Sequence, residues 1–156
     1  MSDAPLAHVT VAAVAQRDGR YLLVEERDGD RCVINQPAGH WEPGESLLEA
    51  VRRETLEETA WRFEPEALVG IYHWQAAGGA RYLRLTFCGR LLGAEPRRPL
   101  DPAIQRVLWL APAELRARRD RHRGPQVWQS VADHRAGRRF PLTCLRELSD
   151  TMASKL

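Results

Sequence analysis

The chain has 156 residues, a formal net charge of +2 and a hydrophobic content of 44%, which is typical of one globular domain with a real core. No apolar run reaches the roughly 18 residues of a transmembrane helix, and the N-terminal segment lacks the basic start of a signal peptide. The three cysteines are far apart, so they fit neither a disulfide framework nor a zinc knuckle. A cytoplasmic protein with reduced thiols is expected.

The first part of the chain predicts a hairpin, a short extended segment over 32–40 that runs into a loop, and a helix. Runs of β-branched and aliphatic residues alternate with short turns that contain Asp and Gly. A helix is predicted from about Leu47, because Ser46 and Glu49 have the spacing of a capping box. The hairpin elements are, in chain order, a strand over 8–16, a turn over 17–19, a strand over 20–26 and a turn over 27–31.

The second part predicts further strands and two more helices. Three prolines make the segment 93–102 irregular. Hairpins on both sides of a central helix, with helices at the end, indicate an α+β fold, an α/β/α sandwich around a mixed sheet. We expect one domain over residues 1–156, with its core at about 8–148. The remaining elements are strands over 66–75, 81–92 and 104–110 and helices starting near Pro112 and over 125–136.

Three carboxylates near the end of the central helix, Glu54, Glu57 and Glu58, indicate a metal site. At 100° per residue, Glu54 and Glu58 continue the apolar stripe that contains Leu47 and Val51. Two like charges four residues apart are unfavourable, more so when partly buried and near the negative end of the helix dipole. A bound divalent cation would remove these costs, and carboxylate ligands suit Mg²⁺, with Mn²⁺ as a substitute.

The helix and the loop before it match a known motif. Gly39, Glu45 and the segment 53–58 resemble the Nudix box, G-x5-E-x7-R-E-(aliphatic)-x-E-E-x-G-(aliphatic). Two positions depart from it: Thr55 stands where an aliphatic residue is usual, and Ala60 where glycine is usual. Because alanine adopts the left-handed conformation less readily than glycine, the exit from the helix is expected to differ.

The resemblance covers residues from about 8 to 148 and is greatest to the NudJ-type phosphatases of the Nudix superfamily. It implies the Nudix fold and Mg²⁺-dependent hydrolysis of pyrophosphate bonds in nucleoside di- and triphosphates and thiamine-type pyrophosphates. The expected partner is therefore a small phosphorylated molecule. Neither a membrane nor nucleic acid is an expected partner, and the protein is expected to be a monomer or a homodimer.

The resemblance also implies roles for the residues of the motif. The Gly39 carbonyl would join the three glutamates as a metal ligand, and Glu45 would anchor the loop. Glu54 and Glu57 are candidates for accepting a proton from the attacking water. Arg53 would orient Glu57.

Residues that could bind the substrate are less sharply indicated. Aromatic rings stack on bases, and positive or amide side chains contact phosphate or polar ring atoms. Arg81 and Arg84 are three apart on a strand and so face opposite sides, which leaves at most one for the substrate. Because few buried polar groups are evident, broad substrate choice is expected. The candidates are Gln36, His40, Trp41, Trp74, Arg81 and Arg84.

Two other interpretations stay open at this stage. A catalytically silent Nudix-fold module would retain the acidic helix to bind a nucleotide or a partner, but loss of activity usually removes ligand carboxylates, and all are present. The Arg-rich segment 116–123 could contact nucleic acid. Arginine is abundant throughout the chain, however, so a solvated helix end is the better interpretation.

Overall fold

The computed structural model describes residues 6–148, so the outermost parts of the expected domain, 1–5 and 149–156, lie outside the described residues. The described part contains eight strands and three α-helices. No described helix is long and apolar enough to cross a membrane. The strands are β1 (Ala7–Arg17), β2 (Arg20–Asp28), β3 (Arg31–Asn35), β4 (Ala38–His40), β5 (Trp61–Gln75), β6 (Arg81–Ala94), β7 (Ile104–Leu110) and β8 (Phe140–Pro141). The helices are α1 (Leu47–Thr59), α2 (Pro112–Ala117) and α3 (Pro125–Arg135).

The strands form one mixed sheet with the order β3-β2-β1-β6-β5-β8. Strands β1 and β6 are parallel, whereas the hairpin pairs are antiparallel. Strand β4 pairs with β1, and β7 pairs with β2. The predicted mixed sheet with helices on both faces is confirmed.

Alternation along β1 separates the two layers of the core. Val11 and Ala13 pack on the side of α1, against Val51. Val14 packs on the opposite side, with Val127 of α3. Since successive side chains of a strand point to opposite faces, one strand supplies apolar side chains to both helical layers.

Most predicted elements occur where the sequence places them. Asp18 and Gly19, both with positive φ, close the first hairpin, because that geometry suits the twist of a two-residue turn. Strand β7 and the start of α2 at Pro112 agree with the predicted bounds. Strand β5 begins at Trp61, five residues earlier than predicted. The chain enters the sheet directly after α1, so no loop separates the two elements.

Helix α1 has a strong start and an unusual end. The Ser46 side chain accepts from the Glu49 N–H, and the Glu49 carboxylate accepts from the Ser46 N–H, which completes the predicted capping box. At the other end Ala60 has φ 58° and ψ 15°. The chain therefore keeps the left-handed exit that glycine would make easily. The other departure, Thr55, is fully buried and donates its hydroxyl proton to the Val51 carbonyl at 2.7 Å.

Replacing Ala60 with glycine is expected to stabilise the protein by about 1 kcal/mol, because a left-handed conformation strains a residue with a Cβ. The measurement is the free energy of unfolding in urea. Ala136→Gly is the matched control, since Ala136 ends α3 with φ −71° and glycine there should give no gain. Equal effects of the two substitutions would show that Ala60 is unstrained.

Candidate active site

Helix α1 places its last three glutamates in different environments. Glu58 is 7% exposed, and its Oε2 accepts a hydrogen bond from the Ala38 N–H at 2.9 Å. The Glu54 side chain is 12% exposed, whereas that of Glu57 is 39% exposed. Glu54 and Glu58 therefore face the protein, and Glu57 borders solvent.

Strand β4 passes α1 very closely because it contains a glycine. A Cβ added to Gly39 would lie 2.1 Å from Cδ and Oε1 of Glu54. In the same short strand, the Ala38 N–H donates a hydrogen bond to the Glu58 carboxylate. Successive residues of β4 thus contact the two inward-facing carboxylates, which joins the loop strand to the acidic end of the helix.

Arg53 is the centre of an ion-pair network. Its Nε and Nη2 donate to the two oxygens of Glu45 at 2.9 and 2.7 Å, and Nη2 also donates to the His40 carbonyl at 3.0 Å. Its Nη1 donates to Glu54 at 2.7 Å and to Glu57 at 3.3 Å. The expected contact with Glu57 is present but is the longest of these hydrogen bonds. Arg53 mainly orients Glu45 and Glu54.

Glu45 closes the loop between β4 and α1. Its Oε1 accepts from the Glu42 N–H at 2.9 Å, and its backbone carbonyl accepts from the Trp41 indole N–H at 2.7 Å. The hydrogen bonds from Arg53 hold the pKa of Glu45 below its usual range. A charged Glu45 thus ties the loop to the helix, as the resemblance implies for this position.

The inward-facing carboxyls are poorly solvated. Burial raises the pKa of Glu58 to about 9. Burial also raises the pKa of Glu54, although Arg53 opposes the shift. Desolvation disfavours a carboxylate, so positive charge added near these two groups would stabilise their charged forms.

The donor set fits a hard divalent cation in its chemistry. Carboxylate oxygens from Glu54, Glu57 and Glu58 and the backbone of Gly39 occupy one end of α1, and oxygen is the ligand atom that Mg²⁺ prefers. Over residues 6–148, no three acidic, His or Cys side chains already converge as a closed ligand group. Arg53 donates to Glu54 and the Ala38 N–H donates to Glu58, so ligation would require these two carboxylates to exchange hydrogen-bond partners for the metal.

A cleft of about 370 Å³ lies beside β4, on the face of the sheet that carries α3. It is bordered by residues of six strands, β1 to β6, and by the start of α3. Three of the predicted substrate residues, His40, Trp74 and Arg84, line it. The complete lining is Thr10, Glu26, Asp28, Asn35, Ala38, Gly39, His40, Trp74, Ala76, Tyr82, Arg84, Arg123 and Gln126.

Aromatic rings form one wall of this cleft. Trp74 and Tyr82 are stacked with ring centroids 5.0 Å apart and an angle of 9°. His8 comes next in this row. Its ring stacks on Tyr82 with the ring centroids 5.0 Å apart, and its Nδ1 is hydrogen bonded to Nε2 of His40 at 3.1 Å. The row follows the register of three strands, in which His8 pairs with Tyr82 and Tyr82 with Trp74.

Three predicted substrate residues lie outside the cleft. Gln36 is 1% exposed and donates to the Val127 carbonyl at 2.7 Å, so it joins the β3–β4 connection to α3. Trp41 borders a different groove with Leu142, because its indole is tied to the loop. Arg81 is exposed on the strand face opposite Arg84, as the spacing predicts.

Sequence reasoning missed several residues of the cleft. Tyr82 could have been found from alternation, because it is two residues from Arg84 on the same strand. Thr10 is the register partner of Arg84, which only the structure shows. Asn35, Arg123 and Gln126 give no such signal. They come from the end of β3 and from the start of α3, which only tertiary packing brings to the same place.

The comparison with protein families identifies the chain. The model of the NUDIX domain matches residues 5–130. The chain belongs to the NUDIX family. It is a Nudix pyrophosphohydrolase that acts on small phosphorylated molecules. The Nudix box contributes the acidic helix and the Gly39 strand.

Known proteins are similar in sequence or structure to most of this chain. Phosphatase NudJ of Escherichia coli K12 is 34% identical over 142 residues, which cover 91% of this chain and 92% of that protein. A solved NUDIX hydrolase from Nitrosomonas europaea is 49% identical, with a TM-score of 0.89 over 92% of this chain and 98% of that one. A MutT NUDIX hydrolase from Burkholderia pseudomallei, at 24% identity and a TM-score of 0.62 over 70% of this chain and 87% of that one, supports the fold alone.

The Arg-rich segment 116–123 is partly committed to structural contacts. Arg121 pairs with Glu25, and Arg123 pairs with Glu26 at 2.7 Å. Arg116 lies over the Trp128 ring at 5.8 Å. Three of the five arginines in this segment thus contact β2 or α3, and the preference for a solvated helix end over a nucleic-acid surface stays a prediction.

Replacing Gly39 with alanine is expected to lower kcat/KM for pyrophosphate hydrolysis by on the order of 100-fold, because the added Cβ would displace the Glu54 carboxylate and a shift of about 1 Å is that costly. Gly78→Ala is the matched control, since a Cβ there meets nothing within 4 Å. Steady-state kinetics of both variants checks the prediction. Unchanged activity of Gly39→Ala would show that Glu54 need not sit against β4.

Replacing Glu58 with glutamine is expected to remove part of the pH dependence of stability in metal-free protein. The folded-state pKa is about 9, above the usual 4.5, so between these values the unfolded chain has lost a proton that the folded chain keeps. The contribution to stability is complete below about pH 4.5 and falls as the pH rises, by up to about 1.4 kcal/mol per pH unit.

Urea unfolding in EDTA, from about pH 5 to about pH 8.5, measures this effect. Stability of the wild type should fall more steeply than that of Glu58→Gln, which still accepts the Ala38 N–H. Glu57→Gln, on the more exposed side of the helix, serves as the control. Parallel curves for wild type and Glu58→Gln would contradict the prediction.

Proposed function

We propose that this Nudix enzyme hydrolyses, in a Mg²⁺-dependent reaction, the pyrophosphate bonds of nucleoside di- and triphosphates and of thiamine-type pyrophosphates. The observation that carries the proposal is the position of β4. One side of this strand contacts the acidic end of α1 through Gly39, and the other side opens into the cleft through His40. A substrate can therefore have its phosphates near the carboxylates and its ring in the cleft.

Gly39, Glu54, Glu57 and Glu58 are the residues that would hold the metal, with Mn²⁺ as a substitute for Mg²⁺. When bound, such an ion supplies charge that neutralises phosphate oxygens and acidifies a water molecule. Two raised carboxyl pKa values, at Glu54 and Glu58, support this assignment because a cation would stabilise the charged forms.

The protein side chains contribute positioning and proton transfer. Arg53 fixes Glu54 through a 2.7 Å hydrogen bond and holds the loop through Glu45. Glu57, at the border with solvent, and Glu54, beside β4, are the candidates for accepting the proton of the attacking water. The aromatic row around Trp74 places an apolar surface beside the ring of the substrate.

The assignment to nucleotides and thiamine-type pyrophosphates rests on the resemblance to NudJ-type enzymes and on the size and aromatic wall of the cleft. A cytoplasmic location and a monomeric or homodimeric state remain predictions. All three cysteines are free, which agrees with reduced thiols.

A catalytically silent binding module is the alternative, and one experiment separates the two. Release of phosphate or pyrophosphate is measured from a panel of nucleoside di- and triphosphates and thiamine pyrophosphate, with Mg²⁺ and with EDTA. Mg²⁺-dependent release from any member supports the enzyme. Binding without release from every member would support the silent module.

Replacing Glu54 or Glu58 with glutamine is expected to lower Mg²⁺-dependent kcat by at least about 100-fold, more than the loss of an outer partner of a metal ligand costs. Glu66→Gln is the control, because Glu66 is exposed on β5 and pairs with Arg90. Mg²⁺ or Mn²⁺ should also raise the Tm of wild type more than that of Glu58→Gln. Full activity with equal Tm shifts would overturn the metal site.

A further inference from the structure

The floor of the cleft is more polar than the sequence suggests. Thr10, Asn35, Arg84 and Gln126 all line it, and each is 4% exposed or less. The aromatic wall tolerates many rings, but buried polar groups discriminate between them, because a wrong ring leaves such groups unpaired. These four side chains bear on which organic group the enzyme accepts.

Part of this floor is held in place by an ion-pair chain. Arg123 donates to Glu26 at 2.7 Å, and Asn35 donates to the same carboxylate oxygen at 3.1 Å. The side-chain Oδ1 of Asn35 accepts from Nη1 of Arg84 at 3.1 Å. The guanidinium of Arg84 is therefore oriented before any ligand arrives.

Three atoms of the floor lack partners. Over the described residues, the buried side-chain atoms without a hydrogen bond include Oγ1 of Thr10, Nε of Arg84 and Oε1 of Gln126. Buried polar atoms in proteins are normally paired, so each unpaired atom calls for an explanation. All three belong to residues that line one cleft, so a ligand bound there can supply their partners.

The three residues surround one volume. Thr10 and Arg84 are register partners on β1 and β6, and Gln126 comes from the first turn of α3. Gly124 leaves room for Gln126, because a Cβ there would lie 2.3 Å from Oε1. The Arg84 guanidinium carbon is 5.3 Å from the centroid of the Trp74 ring, so the polar floor meets the aromatic wall.

This floor suits a ring better than a phosphate. Glu26 and Asp28 also line the cleft and offset the charges of Arg84 and Arg123, so the cleft has no excess of positive charge to attract a polyphosphate. The Arg84 N–H that lacks a partner needs an acceptor, whereas the Gln126 oxygen needs a donor. A nitrogen heteroaromatic ring with an acceptor and an amino group on one edge supplies both.

We propose that Arg84, Gln126 and Thr10 read the polar edge of the substrate's ring, so that the enzyme selects amino-substituted nitrogen heterocycles rather than accepting any ring that stacks. This specificity rests on the proposed function, because it concerns the organic group of the same substrates. It replaces the broad choice that the sequence predicts, which assumed no polar contacts beyond Gln36 and His40.

Two matched substrate pairs test the proposal. The first is ATP and purine riboside triphosphate, which lacks only the 6-amino group. The second is a 4-aminopyrimidine methyl pyrophosphate and its counterpart without the amino group. Wild type should prefer the amino form by at least about 100-fold in kcat/KM for the better pair, within the range that buried hydrogen-bonding sites achieve. Preference below about tenfold in both pairs would overturn the proposal.

Variants assign the preference to its residues. Gln126→Leu should lower kcat/KM for the amino substrate alone, so that its preference over the counterpart without the amino group falls below about tenfold. Gln126→Glu keeps an accepting oxygen and should retain the preference. Gln129→Leu is the control, because Gln129 lies on the same helix outside the cleft and pairs with Asp133. Equal losses for both substrates in Gln126→Leu would show a structural role only.

A binding measurement separates this proposal from the proposed function. Dissociation constants of AMP and purine riboside monophosphate are measured by calorimetry in EDTA, with wild type and the Gln126 variants. If wild type binds AMP more tightly than purine riboside monophosphate and Gln126→Leu does not, the proposed ring recognition is supported even when no substrate is hydrolysed. Hydrolysis with equal dissociation constants and equal kcat/KM for both rings would support the proposed function and overturn the proposed ring recognition.

Discussion

The guanidinium of Arg53 connects three parts of the site that have separate origins in the chain. It contacts the Glu45 carboxylate in the loop, the His40 carbonyl at the end of β4 and the Glu54 carboxylate on its own helix. A planar group with several fixed donors can satisfy these acceptors together, which a lysine ammonium could not do with the same geometry. Together with the hydrogen bond from the Ala38 N–H to Glu58, this side chain sets the position of β4 relative to the acidic helix.

Charge is organised differently on the two sides of β4. On the side of α1, carboxyl groups outnumber Arg53, and burial shifts the pKa of Glu58 upward. On the side of the cleft, Glu26 is balanced by Arg123 and Asn35, and buried Arg84 lies beyond them. The α1 side thus carries an excess of carboxyl groups, whereas on the cleft side Glu26 is paired and single polar atoms of the described residues lack partners.

Alternation along the strands connects these two sides. In β1, Val11 faces α1 while Thr10 faces the cleft, and in β4 Gly39 contacts Glu54 while His40 lines the cleft. The face that carries α3 changes from apolar at Val14 to polar and aromatic at Thr10 and His8. The cleft therefore begins where α3 no longer covers the sheet.

The sequence by itself determined the local elements and the acidic helix. Hydrophobic period, turn residues and the capping box depend on neighbours in the chain, so the hairpins, the start of α1 at Leu47 and the inward direction of Glu54 and Glu58 were predictable. Only the tertiary structure decided which side chains share the cleft. Trp41 and Trp74 are the same residue type, yet a hydrogen bond to the loop holds one away and strand register brings the other in. Gln126 enters from a helix about 40 residues beyond Arg84, because periodicity specifies the face of an element but not what packs over it.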